Sequence, residues 1–166
     1  MDLTLIISGG ILLGCLIGLS WFAGSDAPFV PTKMTNIRKI LKLAGVKKGK
    51  KFYELGSGDG RVVIEAAQLG TDSCGIEQSW IRVLYSRWKA HHLANTKFYH
   101  GNIFSKNYSN GNIVYIYLLH KGVNKLEEKL KRELKKGSVV ITQTYHFKNW
   151  KPFKKLGDFW FYRSMG

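Results

Sequence analysis

The hydrophobic pattern divides the chain into two unequal parts. Between Asp2 and Asp26 lie 23 uncharged residues, LTLIISGGILLGCLIGLSWFAGS, with no periodic polar face. Beyond them, apolar and polar positions recur with the periods of helices and strands. Ile37, Ile40, Leu41 and Leu43 have helical spacing within residues 34–46, with Gly45 near the end. Residues 51–55 read as a short apolar strand running into glycines, 61–69 as a helix, 72–77 as a strand and 79–94 as a longer helix. Trp80, Tyr85 and Trp88 recur along that helix and are expected to pack on the sheet. Residues 96–101 and 112–119 are predicted strands, the second rich in Ile, Val and Tyr. A charged helix over 121–136 stops at Gly137, with Glu127, Glu128 and Glu133 among its lysines predicting a solvated face. A β-branched strand over 138–145 and a hairpin around Gly157-Asp158 complete the pattern. Strands alternating with helices predict an α/β fold, a parallel sheet with helices on both faces.

As a helix, the uncharged segment is long enough to cross a hydrocarbon core of roughly 30 Å. Trp21 and Phe22 near its end suit an interfacial position. Residues 1–26 are therefore expected to be an N-terminal transmembrane anchor, and 27–166 the folded domain. A cleaved signal peptide is the alternative, with a weak site at Ser25-Asp26-Ala27, but the Met-Asp start lacks a basic n-region. Lys33, Arg38, Lys39 and Lys42 follow the segment, which predicts a single-pass membrane protein with its domain on the cytoplasmic or matrix-equivalent side. Gly10, Gly14 and Gly18 have GxxxGxxxG spacing, which would let two such helices pair as a homodimer.

Charge sharpens this picture. The chain carries 26 Lys and Arg against 11 Asp and Glu, a formal +15. All of the basic residues lie after position 32, so residues 27–166 hold 26 basic and 9 acidic groups, a net +17. Such a balance suits an anionic membrane surface, a nucleic acid or an acidic partner. Residues 33–51 contain eight basic residues and no acid, a run that would be attracted to anionic headgroups beside the anchor. Cys15 and Cys74 cannot build a disulfide framework, and no metal site is expected: His91 and His92 are adjacent on a helix and diverge.

The chemistry enters at Glu54-Leu-Gly56-Ser-Gly58-Asp-Gly60-Arg61, between the first strand and the first helix of the alternation. Glycines there permit positive φ and close approach of backbone amides to a ligand, at the sheet edge where open α/β folds bind. The spacing is GxGxG rather than GxGxxG, and no GK[ST] follows. Glu77, at the end of the next strand, can accept hydrogen bonds from both ribose hydroxyls. Glu54, before the loop, suits a cationic ligand better than a pyrophosphate. Together they fit S-adenosylmethionine, which has a sulfonium, an ammonium and a ribose but no phosphate.

These residues also resemble a known family, the small class I methyltransferases that act on protein lysines. That family includes an archaeal enzyme and the mitochondrial enzymes for the adenine nucleotide translocase and the ATP synthase c-subunit. The resemblance rests on Pro28-Phe-Val-Pro-Thr32, Phe52-Tyr-Glu-Leu-Gly-Ser-Gly-Asp-Gly-Arg-Val62, Gly101-Asn-Ile-Phe104, Tyr117-Leu-Leu119, Asn124 with the run 126–137, and Trp150. It implies a Rossmann-like class I methyltransferase sheet. It further implies that Glu54, Gly56, Ser57, Gly58, Asp59 and Gly60 line the methionine end of the cofactor, and that Glu77 holds the ribose. Phe29, Pro31 and Thr32 would fold over the cofactor as a lid. Tyr117, Leu118 and Leu119 would shape the acceptor channel, with Trp150 as a substrate wall or a structural plug. Three departures stand out. Asn102 replaces the adenine-facing aspartate, His120 replaces a proline, and Thr142-Gln143 replaces a Ser-His pair.

The implied reaction is methyl transfer from S-adenosylmethionine to a lysine amine of a protein, at or near a membrane. Tyr117 could orient the amine, and His120 is the histidine placed to act as a base. Two alternatives stay open. The net charge would also suit RNA, although no Asn-Pro-Pro-Tyr-like motif follows the fourth strand, which disfavours nucleic acid. A non-catalytic membrane-bound module that only binds cofactor is the other, given Asn102 and Gln143.

Overall fold

The computed structural model describes residues 2–22 and 30–166, with side chains given for 2–19 and 30–166. Five strands lie parallel: β1 (Lys51–Leu55), β2 (Asp72–Glu77), β3 (Thr96–His100), β4 (Ile113–Ile116) and β5 (Val139–Gln143). β7 (Phe159–Arg163) pairs antiparallel with both β5 and β6 (Lys154–Leu156), giving the order β3-β2-β1-β4-β5-β7-β6. The expected hairpin thus joins the sheet and makes it mixed rather than wholly parallel. Gly157, at a φ of 55°, makes the reversal. The order changes direction at β1, which has β2 on one side and β4 on the other; open α/β sheets bind ligands at such a point.

Alternation along the strands sorts the core onto two faces. Phe52, Ile113, Tyr115, Ile141 and Phe161 meet α2 (Ile37–Leu43) and α3 (Arg61–Gln68) through Ile37, Ile40, Leu41, Val62 and Ala66. Val114, Ile116, Val140 and Tyr162 face the other way, onto Val123, Leu126 and Leu130 of α5 (His120–Glu133). Trp150 belongs to this second face, stacked on Phe147 at 5.3 Å and tilted against Tyr162 at 5.6 Å.

Several elements differ from their sequence patterns. The helix expected from residue 34 opens as a 3-10 turn, Met34–Asn36. The helix expected over 79–94 is α4 (Trp80–Lys89). The chain turns early there because Asn95 Nδ2 donates to the carbonyls of Ala67 (2.9 Å) and Thr71 (2.8 Å), pinning the entry to β3. Trp80, Leu84 and Trp88 do not pack on the sheet. They stand outward, 58%, 52% and 69% exposed, because Arg82, Val83, Ser86 and Ala90 occupy the inner face.

The expected transmembrane anchor forms a helix, α1 (Leu3–Phe22), and its described side chains are all exposed. Among the described residues, however, no helix is long and apolar enough to cross a membrane. Pro28, Phe29, the Ser25-Asp26-Ala27 site and the side chains of Trp21 and Phe22 lie outside the described residues.

Glu127 corrects the picture of α5 as a solvated charged face. It is 2% exposed and accepts hydrogen bonds from the backbone N–H groups of Lys148 (3.0 Å) and Asn149 (3.0 Å) and from Lys131 Nζ (2.8 Å). One carboxylate thereby ties α5 to the loop that carries Trp150. Glu127→Gln would turn an amide N–H toward those donors. The substitution is expected to lower unfolding free energy by about 1–3 kcal/mol, read as a lower urea midpoint with an unchanged slope; an unchanged midpoint would refute the tie.

Candidate functional site

The loop after β1 is shaped by three left-handed glycines, Gly56, Gly58 and Gly60, at φ of 80°, 52° and 76°. Other residues are sterically strained there. The Gly56 and Ser57 N–H groups donate to the Ile76 carbonyl at 2.9 and 3.0 Å, which lays the loop across the end of β2. Gly60 has a packing reason besides. A Cβ at that position would meet the Phe98 ring at 2.7 Å and Ser86 Cβ at 2.9 Å.

Above the carboxyl ends of β1, β2 and β4 lies a cavity of about 520 Å³. Glu54, Asp59 and Glu77 all face it, and all are buried. Glu77 Oε2 accepts from the Gly58 N–H and Oε1 from the Ser79 N–H, each at 2.9 Å, while Arg82 Nη1 lies 3.4 Å from Oε1. Arg61 grips Asp59 through Nε at 2.9 Å and Nη2 at 2.6 Å. Burial alone would push the Asp59 carboxyl up, but the hydrogen bonds and charge of Arg61 outweigh it and hold it below the ordinary range. Glu54 behaves oppositely: burial first, then the Asp59 charge, push its carboxyl well above the usual value. The cavity is therefore a buried acidic cradle short of positive charge near Glu54.

The segment 30–32 lies along the cavity. Arg61 Nη1 donates to the Thr32 carbonyl at 3.2 Å, and Thr32 Oγ1 to Gln143 Oε1 at 3.4 Å. Tyr115 OH donates to the same Gln143 oxygen. Gln143, where a histidine was expected, is thus engaged in holding this segment and the end of β5.

Of the residues singled out in sequence, Pro31, Thr32, Glu54, Gly56, Ser57, Gly58, Asp59, Glu77, Asn102, Tyr117, Leu118 and Leu119 line this one cavity. Gly60 does not; it spaces α3 from α4 and β3. Trp150 is not brought to the cavity, because the core beneath α5 takes it. His120 is the exposed first residue of α5 and does not line the cavity; its Nε2 meets Asn124 Nδ2 at 3.0 Å. Phe29 lies outside the described residues. Residues that sequence reasoning passed over include Gln78, Arg82, Phe104, Lys121 and Lys125. Arg82 carried a signal: five residues after Glu77, it lies one helical turn beyond the strand end.

The residues present fit S-adenosylmethionine. Buried carboxylates suit its cationic centres, Glu77 retains lone pairs for hydroxyls, and Ser57 Oγ is a buried hydroxyl with no protein hydrogen-bond partner among the described residues. Fold and site together define a class I, S-adenosylmethionine-dependent methyltransferase architecture. Comparison narrows the class. The chain belongs to the family described as the ANTKMT methyltransferase domain, which it matches over residues 54–154.

Among its relatives is the ATP synthase c-subunit lysine N-methyltransferase of Xenopus laevis, 34% identical over 136 residues, covering 79% of this chain and 59% of that protein. A protein-lysine N-methyltransferase of Saccharolobus islandicus (strain REY15A) is 31% identical over 130 residues, covering 75% and 81%. A solved RNA methyltransferase from Salinibacter ruber, in complex with S-adenosyl-L-homocysteine, superposes with a TM-score of 0.73 at 31% identity, covering 81% of this chain and 92% of that one. The chain spans between 54% and 62% of the length of the vertebrate relatives it matches.

The raised Glu54 value has a signed consequence. Folding holds a proton that the unfolded chain releases, so ligand-free stability falls as pH rises from the usual carboxylate range toward the raised value. Glu54→Gln removes that loss. Ligand-free Glu54→Gln is expected to melt above the parent at neutral pH, with the difference shrinking toward pH 4, a value near the free carboxyl's own. The same change should weaken cofactor binding by about tenfold or more, since a charge-assisted contact is lost. Calorimetry checks both; a destabilised neutral-pH variant would contradict the account of Glu54.

Proposed function

We propose that this protein transfers a methyl group from S-adenosylmethionine to the side-chain amine of a lysine in a protein substrate, at or near a membrane. The observation that carries the reading is the continuity of one cavity, from the carboxylate cradle to Tyr117, Leu118 and Leu119. Relatives named as lysine methyltransferases support the choice of acceptor.

In this reading Glu54, Asp59 and the Gly56–Gly58 backbone receive the methionine end, and Glu77 receives the ribose. Asn102, whose Oδ1 accepts from the Phe104 N–H at 2.8 Å, fixes the wall on the adenine side. The segment 30–32 closes over the cofactor, held by Arg61 and Gln143. Bound S-adenosylmethionine supplies an activated methyl group on a positive sulfur. With it held there, the lysine nitrogen would attack that carbon as the carbon–sulfur bond broke, leaving a neutral thioether. No protein nucleophile is needed, so positioning does most of the work. A lysine must first lose its proton, which at neutral pH costs about 4 kcal/mol; the Lys121 and Lys125 cations lining the cavity lower that cost by disfavouring a second ammonium. Tyr117 orients the amine by its hydroxyl or ring face. His120, outside the cavity, is left as a surface base at most.

The membrane part of the reading draws on α1. Its described side chains are uncharged, mostly apolar and exposed, which a bilayer would cover, and the basic run over 33–51 follows it. The domain then lies on the cytoplasmic or matrix-equivalent side. Pairing of α1 with a second copy has room along Gly10, Gly14 and Gly18, where a Cβ would meet nothing within 4 Å.

RNA is the second reading, favoured by the net charge and by the Salinibacter ruber neighbour, an RNA methyltransferase by name. Labelled S-adenosylmethionine and a membrane-containing lysate separate the two. Protein-bound label, lost to protease and mapped to lysine, is the expected result; label lost to ribonuclease would overturn it. No transfer despite cofactor binding would leave a silent binding module. In the same assay, removing residues 1–26 is expected to spare transfer to a soluble lysine peptide and to reduce transfer into membrane proteins. An unchanged membrane pattern would remove the anchor from the reading.

A further inference from the structure

The outer face of α4 is unlike the surface of an ordinary sheet-covering helix. Trp80, Leu84 and Trp88 stand at successive turns and form one exposed apolar stripe, with Tyr85 5.9 Å from Trp88 between ring centroids. Large aromatics with a polar edge favour the boundary between headgroups and acyl chains, where one end is apolar and the other wet. A patch of this kind on a folded domain marks an interaction surface.

Two observations identify what covers it. The first is charge. No acidic residue occurs between Glu77 and Glu127, while Arg87, Lys89, Lys97, Lys106, Lys121 and Lys125 do; Arg82 is turned inward to Glu77. Arg87 and Lys89 flank Trp88, and exposed His91 and His92 follow. The second is proximity: α4 touches α1, whose described side chains form an uncharged exposed surface. An apolar stripe bordered by cations and close to an apolar helix matches an anionic lipid surface.

We infer that the outer face of α4 is a second membrane contact, with Trp80, Leu84 and Trp88 seated at the headgroup boundary of an anionic bilayer. This rests on the reading that the protein works at a membrane. Its consequence concerns the site. Gln78, exposed and two residues before Trp80, lines the cofactor cavity, and Arg82 lines it from the inner face of α4. Docking through α4 therefore brings the rim of the active cavity to the bilayer and orients it, which a single tethering helix on a short linker would not do. A lysine near the headgroups would then be the favoured acceptor.

The full chain, reconstituted with vesicles of phosphatidylcholine or of phosphatidylcholine with phosphatidylglycerol, tests this through tryptophan quenching by brominated lipid. The doubly substituted Trp80→Phe/Trp88→Phe chain is expected to lose a large part of the quenchable emission seen in the parent with anionic vesicles. Trp21→Phe should lose a separate part. In pure phosphatidylcholine the portion due to Trp80 and Trp88 should fall, since the flanking cations no longer contribute. Quenching that is unchanged in Trp80→Phe/Trp88→Phe and traced entirely to Trp21 would overturn α4 docking while leaving the anchor intact. Trp80 and Trp88 shielded from water but unquenched would assign the stripe to a second protein copy and also overturn it. No association with either vesicle would overturn the membrane reading itself, and methyl transfer to lysine would stand or fall separately.

Discussion

The Glu77 carboxylate is the interaction on which the rest of the site depends. It receives the Gly58 N–H from the loop after β1 and the Ser79 N–H at the start of α4, with Arg82 of α4 beside it. A buried carboxylate is costly unless paired and hydrogen-bonded, and here every partner comes from a different structural step. The loop cannot leave without uncovering Glu77, and α4 cannot rotate without withdrawing Arg82. One charge thus sets the glycine loop, the end of β2 and the angle of α4 together. With Arg82 drawn inward, the helical period leaves Trp80, Leu84 and Trp88 facing away from the sheet.

Close packing adds a second constraint around the same residue. A Cβ at Gly75 would meet Ser57 Oγ at 2.6 Å and Phe98 at 2.8 Å, so β2 must carry no side chain there. Gly60 gives way to the same Phe98 ring, at the neighbouring ring carbons. Phe98 is the wedge that fills the space behind the loop. The loop's curvature follows from packing behind it as much as from ligand binding in front, and Gly60 therefore sits in the motif without touching the cavity.

What was legible in the sequence depended on how local the cause was. The strand–loop–helix around Glu54 to Arg61 was readable because turn chemistry, apolar strand and helix start fall within a dozen residues. So was the hairpin at Gly157, although its antiparallel docking on β5 is a long-range choice and the sheet was expected to be parallel. The α4 face was misread because Trp80, Tyr85 and Trp88 look like core residues by composition. Arg82 was the deciding residue, and its burial goes with the Glu77 carboxylate beside it. Glu127 was hidden for the same reason: its donors, Lys148 and Asn149, lie about twenty residues away along the chain. Trp150 matched a family position, yet a tryptophan's bulk says nothing about which side of α5 it fills.

The fold also changes what the net charge means. Of the nine acidic residues after position 26, Glu54, Asp59, Glu77 and Glu127 are buried. Glu65, Asp72, Glu128 and Glu133 are each taken up in ion pairs, with Arg38, Lys51, Lys131 and Lys129. The negative charge is directed inward or neutralised locally, whereas most lysines and arginines stay at the surface because ammonium and guanidinium heads remain hydrated when they can. The formal +17 is thus expressed mainly at the outer surface, while the buried floor of the cavity is acidic. These opposite signs serve different ends. The inner carboxylates select a cation small enough to be engulfed, and the outer cations draw the domain to any extended anionic surface. Lys121 and Lys125 line the same cavity as Glu54, Asp59 and Glu77, so the acidic sign belongs to its buried floor, where a cation is held, and not to its whole wall.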